Sequence, residues 1–446
     1  MRSWLVLMFF LVSGLSYAQE EQLLVGIAGL DIEPPIGIPL AGYGSDKRRL
    51  PGKIDWRNKH PHATLFRPSE ATHSPIRSKA MVLRKGDSTL VLLSLDMIGL
   101  EDAFIKDLAK RLSRHGISEK DILASATHTH EGPGTLSRRL PLEVIAVDFF
   151  KKKNYQYVLN KVVSSVEQAL QNLEPAELFK TSAIIEGVQR NKFRRKDEEH
   201  FDKKASFLVA KSKQDGSWLG GIVNFSIHGG TFPVEILHYS SDINGAIEAQ
   251  MEDYLNSMNL LNARNTVFLF MNGAEGDVAS KGERGIDMIE YHSSLFRSQA
   301  EKAFAPENLT PIEPHFSISK HKIYLGIPGS SLRFCVGGMF KKLNPMVKIK
   351  LWPLMPAYSY ISQAQIGDVT LLSWPGEAST QLGFDLQAIA RKLGRQDPWV
   401  IGLANDYATY FTTKTEFYEG AYDSCSSLYD YRGGDRILKA HEKHLK

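Results

Sequence analysis

Two histidines two residues apart, His128 and His130 in SATHTHEGPG (125–134), stand directly after a short apolar run and before a Gly-Pro-Gly turn. On an extended chain, residues two apart project to the same side. Both imidazoles can therefore face one site, one as a metal ligand and the other as a free acid, base or oxyanion donor. The same pattern also describes two surface histidines in a loop. His228 in NFSIHGG (224–230) repeats the arrangement, with Gly229 and Gly230 allowing a sharp turn after the strand; a hydrogen-bonded core histidine would look the same. Glu377 in WPGEAST (374–380) sits at a strand-to-helix junction, where the helix dipole alone favours an acid. Asp96, closing an apolar strand, and Asp242, in SSDINGA, are placed to orient metal-bound imidazoles from behind, with helix capping as the simpler role for Asp242.

The elements that must position these residues follow a repeated pattern. Residues 79–84 and 88–96 read as a hairpin around Lys85-Gly86-Asp87, and the second strand, STLVLLSLD, is apolar throughout, as a strand buried on both faces requires. A helix with Phe104, Ile105, Leu108 and Leu112 on one side leads to a strand at Ile122–Ala126, a unit that favours parallel pairing. The alternation recurs at 218–228, 243–256 and 265–272, and again at 369–374, 378–393 and 399–403. The expectation is one α/β unit of mixed, largely parallel sheets with flanking helices. In such sheets ligands bind at the C-terminal strand ends, the shared address of His128, His228, Asn272 and Glu377.

Composition narrows the class further. With 43% hydrophobic residues and a net charge of +4, the chain is globular and carries no basic stripe for nucleic acid. Residues 1–18, with Arg2, an apolar run from Trp4 to Val12 and small residues at Ser16 and Ala18, read as a cleaved signal peptide. This predicts an exported mature chain, 19–446, periplasmic or extracellular and without a transmembrane segment. Cys335 and Cys425 allow one bridge or two buried thiols. Residues 330–362 mix aromatic side chains with Lys341, Lys342, Lys348 and Lys350, and either wall an apolar pocket or form edge strands with solvated lysines.

The ordered motifs GIAGLDIEPPIGIPLAGYG, SATHTHEGPG, NFSIHGG, SSDINGAIEAQ, NGAEGDV, WPGEAST and GLANDYATYFTTKTEFYEGAYDS resemble, along most of the mature chain, the neutral/alkaline non-lysosomal ceramidase family. The resemblance implies a zinc site of His128, His228, Glu377 and Tyr410, with His130, Arg190 and Tyr422 as donors to the scissile carbonyl oxygen. Gln189 precedes Arg190 where the family has Asn, and nearby Arg194 or Arg195 are substitutes.

Two departures accompany the resemblance. The family's catalytic serine falls at Gly273, which leaves direct attack by zinc-bound hydroxide, with Asn272 or Glu275 assisting. The chain also ends before the β-sandwich domain that long members append. Both point away from ceramide itself. The expected function is exported, zinc-dependent hydrolysis of an amide (N-acyl) bond in a small-molecule or lipid-like substrate. The alternative is a catalytically weak metal-binding relative that recognises a lipid, sugar or peptide.

Overall fold

A computed structural model describes residues 21–52, 54–193, 199–259, 264–336 and 338–446. The expected signal peptide, 1–18, and the substitutes Arg194 and Arg195 lie outside the described residues.

Along the chain run β1 (Leu24–Asp31), β2 (Arg77–Lys85), β3 (Ser88–Leu95), α1 (Asp102–Leu112), β4 (Ile122–Ala126), α2 (Lys152–Gln171), β5 (Glu174–Ile184), β6 (Lys204–Ser212) and β7 (Trp218–Phe225). They are followed by α3 (Asp242–Met258), β8 (Val267–Asn272), α4 (Ile286–Ala300), β9 (Phe316–Tyr324), β10 (Tyr358–Ile366), β11 (Val369–Ser373), α5 (Thr380–Lys392), β12 (Asp397–Ile401) and α6 (Asp430–Leu445). The large sheet has the order β8-β7-β6-β5-β1-β2-β3-β4, and the smaller one β9-β10-β11-β12.

The two sheets stack face to face. Leu90, Leu92, Leu123, Leu208 and Leu269 of the first meet Ile366, Leu371, Trp399 and Ile401 of the second. Helices cover both outer faces: α1 and α2 pack Ile105, Leu108, Val158 and Val162 on Val82, Val91 and Leu93, α3 and α4 cover β6 to β8, and α5 and α6 cover the second sheet. In β3 successive side chains thus alternate between helix layer and sheet layer, the physical reason its sequence is apolar without interruption.

The α/β class and the mixed sheets with flanking helices are as expected, but the pairing is not largely parallel. Tight turns at Gly86, Gly216 and Gly367, all with positive φ, return the chain antiparallel. The parallel pairs of the two large sheets are β3 with β4, β7 with β8 and β11 with β12. These are the strand, helix, strand units legible in the sequence, because a parallel return needs a crossover long enough to hold a helix. His128, His228 and Glu377 follow β4, β7 and β11, so each crossover delivers site residues to the same edge of the sandwich.

Helix α6 is tied to the second sheet by a buried histidine. Gln363 donates to His441 Nδ1 at 3.2 Å, and Nε2 lies 2.9 Å from the Ser373 carbonyl, which fixes one neutral tautomer. Burial moves its pKa from 6.5 down to about 4. Because the folded-state value is depressed, the unfolded chain takes up the proton first, so stability is full above about pH 6.5 and falls as pH drops toward 4. This group's share is roughly 3 kcal/mol at pH 4. His441→Gln is expected to remove that part of the slope in chemical denaturation measured from pH 7 to pH 4; an unchanged slope contradicts the assignment.

Candidate metal centre

The local chain is strained where it delivers its ligands. His128 has φ 67° and Thr409, preceding Tyr410, has φ 64°, conformations that cost about 1–3 kcal/mol each for such residues and persist only where surroundings enforce them. For His128 the enforcement is visible. Its N–H donates to the Met97 carbonyl at 3.0 Å, and the Asn272 amide donates to the Thr127 carbonyl at 3.1 Å and to the Ile227 carbonyl at 2.9 Å. Asn272 also accepts from the Ile227 N–H at 3.1 Å. One side chain thus clamps the residues immediately before His128 and His228, with both amide hydrogens of Asn272 committed to main-chain carbonyls. Glu377 and Tyr410 are set side by side by main-chain pairing, since Glu377–Ala378 and Tyr410–Phe411 are registered in parallel.

The side chains converge. His128 Nε2 lies 3.3 Å from Glu377 Oε2, and His228 Nδ1 lies 3.7 Å from the same oxygen. Tetrahedral zinc with bonds of about 2.0–2.1 Å needs donor atoms about 3.3–3.4 Å apart; the His128 spacing matches this and the His228 spacing is a few tenths of an ångström wider. The tautomer of His128 fits as well. Nδ1 is 2.6 Å from the Ile98 carbonyl and must carry a proton to make that bond. In the neutral ring the Nε2 lone pair then points at a carboxylate oxygen that accepts no hydrogen bond, an arrangement only a proton or a metal cation between them makes attractive. Ligand atoms of His128, His130 and His228, and of His228, Glu275 and Glu377, form two overlapping groups, each within 4.8 Å.

Electrostatics follow from burial. It lowers the pKa of His130 and His228 far below the usual histidine value, with neighbouring His128 and Lys192 adding to the effect. It pushes Glu275 far up, with Glu377 adding to the effect. Burial alone would raise Glu377 too, but His128, Lys192 and the Tyr410 hydroxyl hold it below the usual carboxylate range. The Tyr410 phenol is itself pushed far up by burial and by Glu377.

Most of the expected site residues meet here. His130 Nε2 is 3.1 Å from His228 Nε2, and its Nδ1 is buried without a partner. Tyr422 packs edge-on to Tyr410 at 5.7 Å and is 63% exposed, at the mouth of the site. Arg190 is not brought in among the lining residues; it lies in a short strand opposite Ala279. The cation from that segment is Lys192, whose Nζ is 3.0 Å from His228 Nδ1. Asp96 and Asp242 touch no imidazole. Asp96 accepts from Thr127 Oγ1 at 2.9 Å and the Arg77 N–H at 2.7 Å, while Asp242 accepts from the N–H groups of Thr231 and Phe232 at 3.0 and 3.2 Å. Both brace the loops that carry the histidines. Gly273 does not face the cluster: a Cβ there would meet Ser226 Oγ at 2.2 Å, and the residue borders a separate small cavity beside Asn224, Thr380 and Phe384.

Two residues escaped the sequence reading. Tyr407 donates its hydroxyl to Glu377 Oε1 at 2.7 Å, turning Oε2 toward the histidines; its spacing of three from Tyr410 in NDYATY was the available signal. Lys192 carried none, because its role arises only where the short strand folds against the His228 loop. A cavity of about 360 Å³ opens from the cluster, walled by Leu100, Phe104, Leu136, Leu142, Val147 and Leu428.

A family model described as neutral/alkaline non-lysosomal ceramidase, N-terminal, matches residues 62–294. The chain belongs to this family of hydrolases. Among similar proteins, the neutral ceramidase of Pseudomonas aeruginosa is 22% identical over 463 residues, covering 87% of this ceramidase-family chain and 69% of the relative. The neutral ceramidase of Oryza sativa is 23% identical over 273 residues, 58% of this chain and 32% of that protein, and the Mycobacterium tuberculosis neutral ceramidase is 31% identical over 128 residues, 27% and 20% respectively. The crystal structure of the Pseudomonas aeruginosa neutral ceramidase superimposes with a TM-score of 0.78 at 18% identity, over 96% of this chain and 74% of that one, a likeness of fold.

The Tyr407 contact gives a test of the cluster. Tyr407→Phe, which keeps the ring and removes the donor, is expected to weaken zinc binding by about 10- to 100-fold in competition with a chromophoric chelator. Unchanged affinity separates Glu377 from the metal.

Proposed function

We propose that this chain is an exported, zinc-dependent hydrolase of an N-acyl amide bond in a lipid-like substrate, with His128, His228, Glu377 and Tyr410 holding the metal. The observation that carries this reading is the convergence of these four side chains at one end of an apolar chamber. Two imidazoles, a carboxylate and a phenol are a donor set that suits zinc. Zinc bound there would supply Lewis acidity toward a carbonyl and an acidified water.

The chain's own groups supply the remainder. Burial keeps His130 neutral, so one ring nitrogen can accept a proton while the other donates, at an atom that has no competing partner. Lys192 and Tyr422 offer a positive charge and a hydroxyl to the negative charge that develops on the carbonyl oxygen, a stabilisation strongest where water is excluded. Glu275, pushed toward its protonated form, stands ready as a proton source beside His228. The apolar walls favour an acyl chain, and about 360 Å³ suits a small or partly inserted one. Cys335 and Cys425 form a disulfide, which accords with an oxidising compartment and supports export by the 1–18 signal.

Ceramide, the substrate class in the relatives' names, belongs in the substrate panel. The placement of Gly273 away from the cluster removes one reason for setting it aside. The test is turnover of a panel of N-acyl lipids and amino acids by the parent and by Glu377→Ala. Chelation is expected to abolish hydrolysis, zinc to restore it, and Glu377→Ala to lower kcat/KM by at least about a thousandfold. Ligand binding without turnover across the panel would sink the hydrolase reading and favour a metal-containing binding protein.

A further inference from the structure

The stretch between Glu313 and Asp368 contains no acidic residue and seven basic ones. Its middle is an arm in which Gly329–Ser331 pairs antiparallel with Lys348–Lys350, and short helical turns at Leu332–Cys335 and Gly338–Lys342 occupy the part between. The disulfide from Cys335 to Cys425 pins the arm beside the Tyr422 helix.

The arm carries large apolar side chains into solvent. Met339 is 87% exposed, Trp352 61%, Val336 55% and Ile349 54%. Among them stand free cations. Lys348 is paired with Asp430 at 3.1 Å, but Lys341, Lys342 and Lys350 are exposed and make no ion pair among the described residues. The arm is also continuous with the chamber, since Cys335 and Leu351 line it. A second segment of the chamber wall behaves alike: Ile145 lines the cavity yet is 58% exposed, and Val144 and Leu140 beside it are each 42% exposed.

We propose that this arm docks on an anionic lipid bilayer, with Met339, Trp352 and Val336 entering among the acyl chains and Lys341, Lys342 and Lys350 meeting the phosphates. Charge selects the occupant, because a stretch without acids and with unpaired ammonium groups is complementary to a negative surface. Shape selects it too. Separate apolar side chains protruding among lysines match the interfacial zone of a membrane, where rings and thioethers sit below the headgroups while ammonium groups remain in water. Continuity with the chamber then gives an acyl chain an apolar route from bilayer to cluster. The docking is a property of the outer surface and does not depend on hydrolysis.

Flotation with vesicles tests this on the full mature chain. The parent is expected to float with phosphatidylglycerol/phosphatidylcholine vesicles and far less with phosphatidylcholine alone. Lys341→Ser with Lys342→Ser is expected to reduce affinity about 30-fold, some fivefold for each cation removed. Met339→Asp, and separately Trp352→Asp, should abolish flotation while leaving the melting temperature near that of the parent. Glu377→Ala should float as the parent does, which keeps the docking distinguishable from the chemistry. Flotation of both aspartate variants at the parent's level overturns the proposal, as does equal parental binding to neutral vesicles. A parent that dimerises through this face, becomes monomeric in the variants and ignores vesicles overturns it as well, assigning the arm to a second copy.

Discussion

Glu377 buries a carboxylate at the inner end of the chamber, with Oε1 held by the Tyr407 hydroxyl at 2.7 Å and Oε2 accepting no hydrogen bond of good geometry. Removing such a charge from water costs several kcal/mol even after relaxation. The surroundings answer with positive or proton-bearing groups: His128 at 3.3 Å, His228 at 3.7 Å through Nδ1, and Lys192 at 3.0 Å from that same nitrogen. The lysine alone is a poor solution, because it contacts His228 Nδ1 and not the bare oxygen. A divalent cation among the same atoms would satisfy the oxygen and both imidazoles together. The left-handed backbone at His128 and Thr409 is the conformational cost of bringing these side chains together.

That cost is tolerable because the frame behind the site is stiff. Lys79 reaches Glu248 at 2.8 Å and Glu252 at 2.9 Å, crossing from β2 to α3. Burial pushes Asp96 up to about 6 and Glu248 up to about 7, with Lys79 opposing both. A second buried group lies under the loop after His130, where Arg48 meets Glu131 at 2.9 Å and the His130 carbonyl at 3.2 Å. Removing one partner from such a network leaves an uncompensated interior charge, a larger penalty than the net worth of the pair. The networks therefore resist any rearrangement that would let the His loops relax away from the cluster.

How much of this the sequence disclosed depends on the range of each interaction. Strand, helix, strand units are local, and the three legible ones became the parallel pairs whose ends carry His128, His228 and Glu377. The antiparallel pairs beyond the adjacent hairpins were harder to foresee: Leu24 of β1 pairs with Arg84 on one side and Pro175 on the other, and the sheet across from Leu92 is that of Leu371 and Trp399. Side-chain direction was similarly hidden. Asp96 and Asp242 lie near the histidines in space, as expected, but their carboxylates are taken up by main-chain N–H groups and, for Asp96, a threonine hydroxyl. Arg190 and Lys192 are two residues apart, yet only the lysine arrives at His228, because the short strand's register against Val278–Ser280 fixes the approach. The His-X-His spacing did carry, since both rings are buried within 5.0 Å of each other.

The chamber and the cluster constrain each other through dielectric. A catalytic cation exposed to bulk water would share its charge with solvent, whereas walls of leucine, phenylalanine and valine would concentrate the field of one held at this cluster on a carbonyl that entered. The same walls disfavour polar groups on desolvation grounds, so on the proposed reading the arrangement that would strengthen a bound metal's effect would also select an apolar acyl group. Tyr422 marks where this regime ends. Its ring packs on buried Tyr410 while most of its surface is exposed, so its hydroxyl can serve a polar headgroup that remains at the rim while the acyl portion lies inside.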